Sequence, residues 1–298
     1  MKEDAVAPVI AAMLVLAVAV TFFSAWNAYY VPSMKAQSEI AHLKNAESGF
    51  LQFSSDINAA VSAKKNMHLS EPIPLGGGDF TFDAVKSGGS LRVQSEREGY
   101  LRVTIVNGTV PATTSSLLWF SNYSYHPVNN FWQDQGYEWS YGNVNVTKGT
   151  LTTPLQYTSM DKVPYGITGT LFDLDSIPSP DGSGTCSLVD VYTVNITPDA
   201  GNILASGNGN GMLVLASTAM NQQFTNATGM TVSINPGMPE GFRDALWSSV
   251  NQRVNESLAC GNVHALPDPS NLTIQIAFDQ IPNMTLNRKI TEISLGAD

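Results

Sequence analysis

The sequence predicts an α+β protein: a long N-terminal hydrophobic α-helix followed by a mainly antiparallel, β-sandwich-like head with one packed amphipathic helix. Three observations carry this expectation. Residues 5–26 hold no charged side chain, and residues 43–60 keep an apolar seam at alternating spacings of three and four. Beyond residue 65, short β-prone runs alternate with glycine-rich turns. The 298 residues thus divide into a leader (1–5), an apolar helix with its extension (6–66) and a head (67–298) large enough to bury its own core.

The first element is the apolar helix. From Ala5 to Trp26 only Thr21 and Ser24 carry hydroxyls. About 22 residues at ~1.5 Å each cross the ~30 Å hydrocarbon core of a bilayer. Trp26, Tyr29 and Tyr30 follow where an interfacial aromatic belt belongs. A cleaved secretory signal fits poorly, because one lysine stands against two acids before a run that is too long, and the Ala-x-Ala at Ala17 to Ala19 lies inside it. The seam Leu43, Ala46, Phe50, Phe53, Ile57 and Ala60 carries the helix on to about Ala63, with a bend near Pro32. The whole helix is on the order of 85 Å long. Its seam is too short for a coiled coil and is expected to pack on the protein's own head.

In the head, strands are expected at 79–83, 90–93, 100–106, 117–125, 137–146, 187–196, 212–216, 231–234, 272–278 and 289–295, with a hairpin tip at Gly207 to Gly211. One helix opens at Pro239-Glu240, with Phe242, Ala245, Leu246, Val250, Val254 and Leu258 on one face. The chain's two cysteines, Cys186 and Cys260, allow one pairing. In an oxidising compartment a disulfide is expected, tying the end of this helix to the acidic loop 173–185; two buried thiols are the other reading.

Charge and composition narrow the partners. A formal net charge of −10 with only 13% charged residues argues against nucleic acid, since a polyanion binder needs a basic footprint. Eight Asn-x-Ser/Thr sequons, at Asn107, Asn122, Asn145, Asn195, Asn226, Asn255, Asn271 and Asn283, all lie beyond residue 100 and suggest a glycosylated extracellular surface. No nucleophile elbow, phosphate-cradling loop or HExxH occurs, so the expectation is no enzyme, no catalytic residue, no cofactor and no metal. The acidic loop from Asp173 to Gly182 lacks the spacing of a calcium loop and reads as a solvated turn.

One chemical feature is concentrated. Nine of the 23 residues from Trp119 to Tyr141 are aromatic, and Tyr137, Trp139 and Tyr141 alternate along one strand face. With Trp132 they form a candidate binding patch, able to stack sugars or anchor a protein contact. The other reading places these rings in the core, between sheet and helix.

The stretch Asp4-Ala5-Val6-Ala7-Pro8-Val9-Ile10, leading into a small-residue and aliphatic helix, resembles the N-terminal domain of archaeal type IV pilins. The resemblance covers about 25 residues, with Ala7 where that family has Ser and Ala11 where it has Gly. It implies removal of the leader by a prepilin peptidase between Ala5 and Val6, and packing of the exposed helix against other pilins or further copies in a filament core. Farther on, Tyr30-Val31-Pro32, Glu39, His42, Phe50 and Asp56-Ile57 resemble the post-membrane helix of archaeal surface proteins with pilin-like anchors. The expected role is a surface subunit for assembly or adhesion, at the cell membrane with an external C-terminal head or in an extracellular pilus. A membrane-anchored surface protein that never polymerises, and an extracellular carbohydrate-binding module or hydrolase, are the alternatives.

Overall fold

The computed structural model describes residues 6–77, 87–108, 112–130, 133–257, 260–279 and 284–298. Helix α1 (Val6–Ala25) runs through one π turn (Trp26–Tyr30) into α2 (Val31–Ala63). The π turn has a local cause. Pro32 has no N–H and its ring crowds the carbonyl four residues back, so the helix widens, and the Val31 N–H donates to the Trp26 carbonyl, five residues away. The π turn lies just before Pro32, where a bend is expected. α2 ends at Lys64, whose left-handed φ of 51° stops the helix.

The head's first strands are β1 (Met67–Pro74), β2 (Gly88–Ser95), β3 (Leu101–Asn107), β4 (Ala112–Leu118), β5 (Ser121–Val128), β6 (Gln135–Ser140), β7 (Asn143–Lys148) and β8 (Leu151–Pro154). There follow a short α3 (Thr168–Leu171), β9 (Phe172–Pro178), β10 (Cys186–Gly207), β11 (Asn210–Thr225), β12 (Ala227–Ile234), α4 (Glu240–Ser257), β13 (Val263–Asp268), β14 (Thr273–Phe278) and β15 (Thr285–Ala297). They build a ten-stranded sheet, ordered β1-β11-β15-β10-β2-β5-β6-β7-β8 with β9 also on β10, and a five-stranded sheet, β13-β14-β12-β3-β4. Pairing is antiparallel except where β15 runs parallel to β10, from Leu188 opposite Thr285 to Pro198 opposite Leu295. The α+β class and the mostly antiparallel head match the expectation.

Several local readings need correction. The run 117–125 is two strands belonging to different sheets, and 137–146 is a hairpin turning at Tyr141 and Gly142, both with positive φ. The acidic loop at 173–178 is strand β9, its Asp173 ion-paired to Lys64 at 3.0 Å. Gly207 to Gly211 is no hairpin tip: β15 lies between β10 and β11, and Met212 and Asp298 exchange backbone hydrogen bonds of 2.7 and 2.9 Å at its end. The strand expected at 79–83 lies outside the described residues.

α2 docks on the head through the predicted seam. Leu43, Ala46, Phe50, Phe53, Ile57 and Ala60 are all buried, and the helix touches β1, β6, β7, β11 and β15. Close approach requires Gly49, where an added Cβ would stand 2.4 Å from Ile73 Cδ1. α4 buries Phe242, Leu246, Val250 and Val254, one stripe at helical spacing, beside β9, β12 and β13; Leu258 lies outside the described residues. The Cys186–Cys260 disulfide is present and joins the start of β10 to the segment after α4. Asn262 clips the same point, its amide donating to the Cys186 carbonyl at 3.1 Å and its Oδ1 accepting the Cys186 N–H at 2.7 Å.

Candidate functional site

The most unusual surface is α1 itself. Every large side chain from Val9 to Phe23 is at least half exposed, reaching 70% at Val15, and no face of the helix is covered. Ten such side chains left in water forgo on the order of 15–30 kcal/mol of burial. The helix is long and apolar enough to cross a membrane. Its Thr21 hydroxyl is satisfied within the helix, 3.0 Å from the Ala17 carbonyl and 2.9 Å from that of Val18. At the exit, Phe22, Trp26 and Tyr30 stack in sequence, with the last two ring centroids 4.2 Å apart. Val6 begins the described helix; Ala5, its expected processing partner, lies outside the described residues.

The aromatic patch is placed mostly in the core. Tyr137 and Trp139 are buried, Tyr141 is half-buried, and Trp132 lies outside the described residues. Their partners come from α2: Trp139 Nε1 donates to Ser54 Oγ at 3.0 Å, the Tyr123 hydroxyl donates to the Phe50 carbonyl at 3.2 Å, and the Tyr137 hydroxyl donates to Glu47 at 3.2 Å. Burial pushes the Tyr137 phenol up to about 12. The rings continue as a stack, Tyr123 on Trp139 at 5.3 Å, then Phe120 at 5.4 Å, Tyr141 at 5.4 Å and Phe242 of α4 at 4.7 Å. This column joins α2 to α4 and leaves no open face on Tyr137 or Trp139 for a ligand. As a binding patch, those two residues are corrected to core.

The sequons sort by burial. Asn226, Asn255 and Asn271 are exposed, in a turn, on α4 and in a turn, although the Asn271 amide donates to Asp268 at 2.6 Å. Asn145 is 1% exposed, which leaves no room for a glycan on the folded head. Asn107, Asn122 and Asn195 are half-buried, and the Asn195 amide is committed, donating to Glu292 at 2.6 Å while its Oδ1 accepts the Trp119 N–H at 2.7 Å. Asn283 lies outside the described residues.

One polar cluster has no signature in the sequence. On the sheet face opposite Tyr137 and Trp139, the Asn122 amide donates to Glu96 at 3.2 Å and to Glu138 at 3.4 Å. Burial raises both carboxyls above the usual range, and the charge of Glu96 raises Glu138 further. Alternation along 137–141 signals that Glu138 faces away from the rings, but nothing local in the sequence brings Glu96 to it.

A groove of roughly 420 Å³ lies elsewhere, at one end of the five-stranded sheet, between Arg97, Arg102, Leu117, Trp119 and Asn235. Comparison of the chain with family models, curated proteins and solved structures returned no match.

Proposed function

We propose that the chain is a pilin-like cell-surface protein, a structural subunit whose α1 packs with other copies or other pilins in a filament and whose head faces outward for assembly or adhesion. The observation that carries the reading is the contrast within one continuous helix: α2 buries its apolar seam on the head, while α1 leaves every face uncovered. An apolar helix held away from its own domain demands cover from lipid or from like helices. Ala11, Ala12, Ala17 and Ala19 allow close helix approach. The resemblance at Asp4 to Ile10 supports maturation by a prepilin peptidase between Ala5 and Val6, and the exposed Asn226, Asn255 and Asn271 support an external, glycosylated head. Electron microscopy of sheared surface material, with mass spectrometry of the mature N-terminus, tests it. Filaments carrying a chain that starts at Val6 are expected; an intact residue 1–5 segment on a protein found only as single particles rejects it. The second reading, an anchored protein that does not polymerise, is favoured by the exposed Trp26, Tyr29 and Tyr30 at the helix exit, placed as a bilayer interface would hold them.

A further inference from the structure

We infer that the groove at the end of the five-stranded sheet is a binding site for an acidic glycan, with Arg97 and Arg102 taking a uronate carboxylate and Trp119 carrying the sugar ring. This site is separate from α1 and does not depend on how that helix is covered. Register builds it. Arg102 of β3 stands directly between Leu117 of β4 and Ser233 of β12, so the three share one sheet face. Trp119, just past the end of β4, and the turns at 97–99 and 235–236 close the groove around them.

Three features of this groove suit an acidic ligand. First, the chain has 15 basic residues against 25 acidic ones, yet two of its arginines line this one groove. Arg97 and Arg102, both exposed, form no ion pair among the described residues. Two exposed guanidiniums lining one groove of an acidic protein attract an anion, and their planar donors match a carboxylate. Secondly, one wall is fixed by hydrogen bonds: Glu98 accepts the Asn235 amide at 2.8 Å, and Asn235 Oδ1 accepts the Gly237 N–H at 2.8 Å. Thirdly, Trp119 is anchored through its backbone N–H to Asn195, yet the residue is only half-buried and its indole N–H has no partner among the described residues. A flat ring with a spare donor suits the apolar face and hydroxyls of a sugar. The volume falls within the ~300–1,000 Å³ of small-ligand sites.

The test titrates the full-length protein, in detergent, with an oligogalacturonate by calorimetry. Binding that weakens with salt is expected, about tenfold tighter than to a neutral oligosaccharide of equal length. The exposed pair Arg97→Ala/Arg102→Ala should lose about tenfold in affinity with an unchanged melting curve, and Trp119→Ala a similar amount. Arg92→Ala, outside the groove, should change nothing. Absence of binding at millimolar ligand, equal binding of the neutral oligosaccharide, full affinity in the double variant, or equal competition by an oligoglutamate peptide would each overturn the assignment.

Discussion

His42 shows how one side chain ties helix docking to pH. The Tyr125 hydroxyl donates to the Leu75 carbonyl at 3.1 Å, so it accepts from the His42 Nε2–H 2.8 Å away, and an added Cβ at Gly77 would stand 2.5 Å from the ring. Burial disfavours the imidazolium and holds the pKa below 6.5. The unfolded chain therefore takes up its proton first. The stability tied to His42 is full above about pH 6.5 and falls as pH drops through that value toward the folded pKa. Urea midpoints measured from about pH 8 to pH 5 should decline over this window, and His42→Gln should flatten that part of the decline; an unaltered slope would remove His42 as the cause. The Glu96 and Glu138 pair has the opposite sign. Its raised carboxyls give stability that is full below about pH 4.5 and is lost as pH rises through their folded values. Glu138→Gln keeps the acceptor for Asn122 and removes the repulsion, so at pH 7 it should raise Tm by roughly 1–4 °C, with the gain vanishing below about pH 4.5.

At the scale of elements, α2 docks on the head through its buried seam. Phe53 meets Tyr123 edge-on at 5.1 Å and Phe50 lies 5.0 Å from the same ring. Phe53→Ala should cost about 3–5 kcal/mol in urea unfolding, whereas Ser54→Ala, which strands the buried Trp139 N–H, should cost about 1–3 kcal/mol. Equal, negligible effects would mean that α2 merely rests on the sheet. This docking is legible in the residues themselves, because an a/d seam and a β-strand of alternating rings are periodic signals that one sequence preserves. Other elements are not. β1, MHLSEPIP, and β13, VHALPD, carry prolines that read as breaks but sit at sheet edges, where a missing donor costs nothing. β4, ATTSSLL, has no apolar alternation on which to fix a period, and β9 hides behind two aspartates, the first of which faces partners contributed by the end of α2 and by α4. The insertion of β15 between β10 and β11 is illegible for a further reason: long-range register is set by which faces fit once the core exists, and no local pattern encodes it. The same limit hides the groove, whose Trp119, Arg102 and Asn235 come from separate turns and strands at one end of the five-stranded sheet, while Tyr123, Tyr137 and Trp139 of the aromatic run are used inside.

For the whole molecule, the decisive matter is that two parts of one rod obey different solvents. The head is closed by its own core and by the Cys186–Cys260 bridge; α1 is closed by nothing among the described residues. A substitution in α1 should therefore act on location and leave the head's stability untouched. Val15→Lys places a charge near the middle of the apolar span, where insertion costs about 2.5–3.5 kcal/mol more. Membrane fractionation should show loss of the protein from the carbonate-resistant fraction, and microscopy should show loss of filaments, while the head's thermal transition stays where it was. Cys186→Ser should do the converse, destabilising the head by about 2–5 kcal/mol with fractionation preserved. If Val15→Lys shifted the head's melting as well, α1 would have to be a buried part of the head in solution, and the anchoring and assembly readings would fall together. If fractionation failed but filaments persisted, cover by neighbouring helices would be shown to tolerate what lipid does not, for a lysine in a helix bundle can reach a polar partner that hydrocarbon never offers.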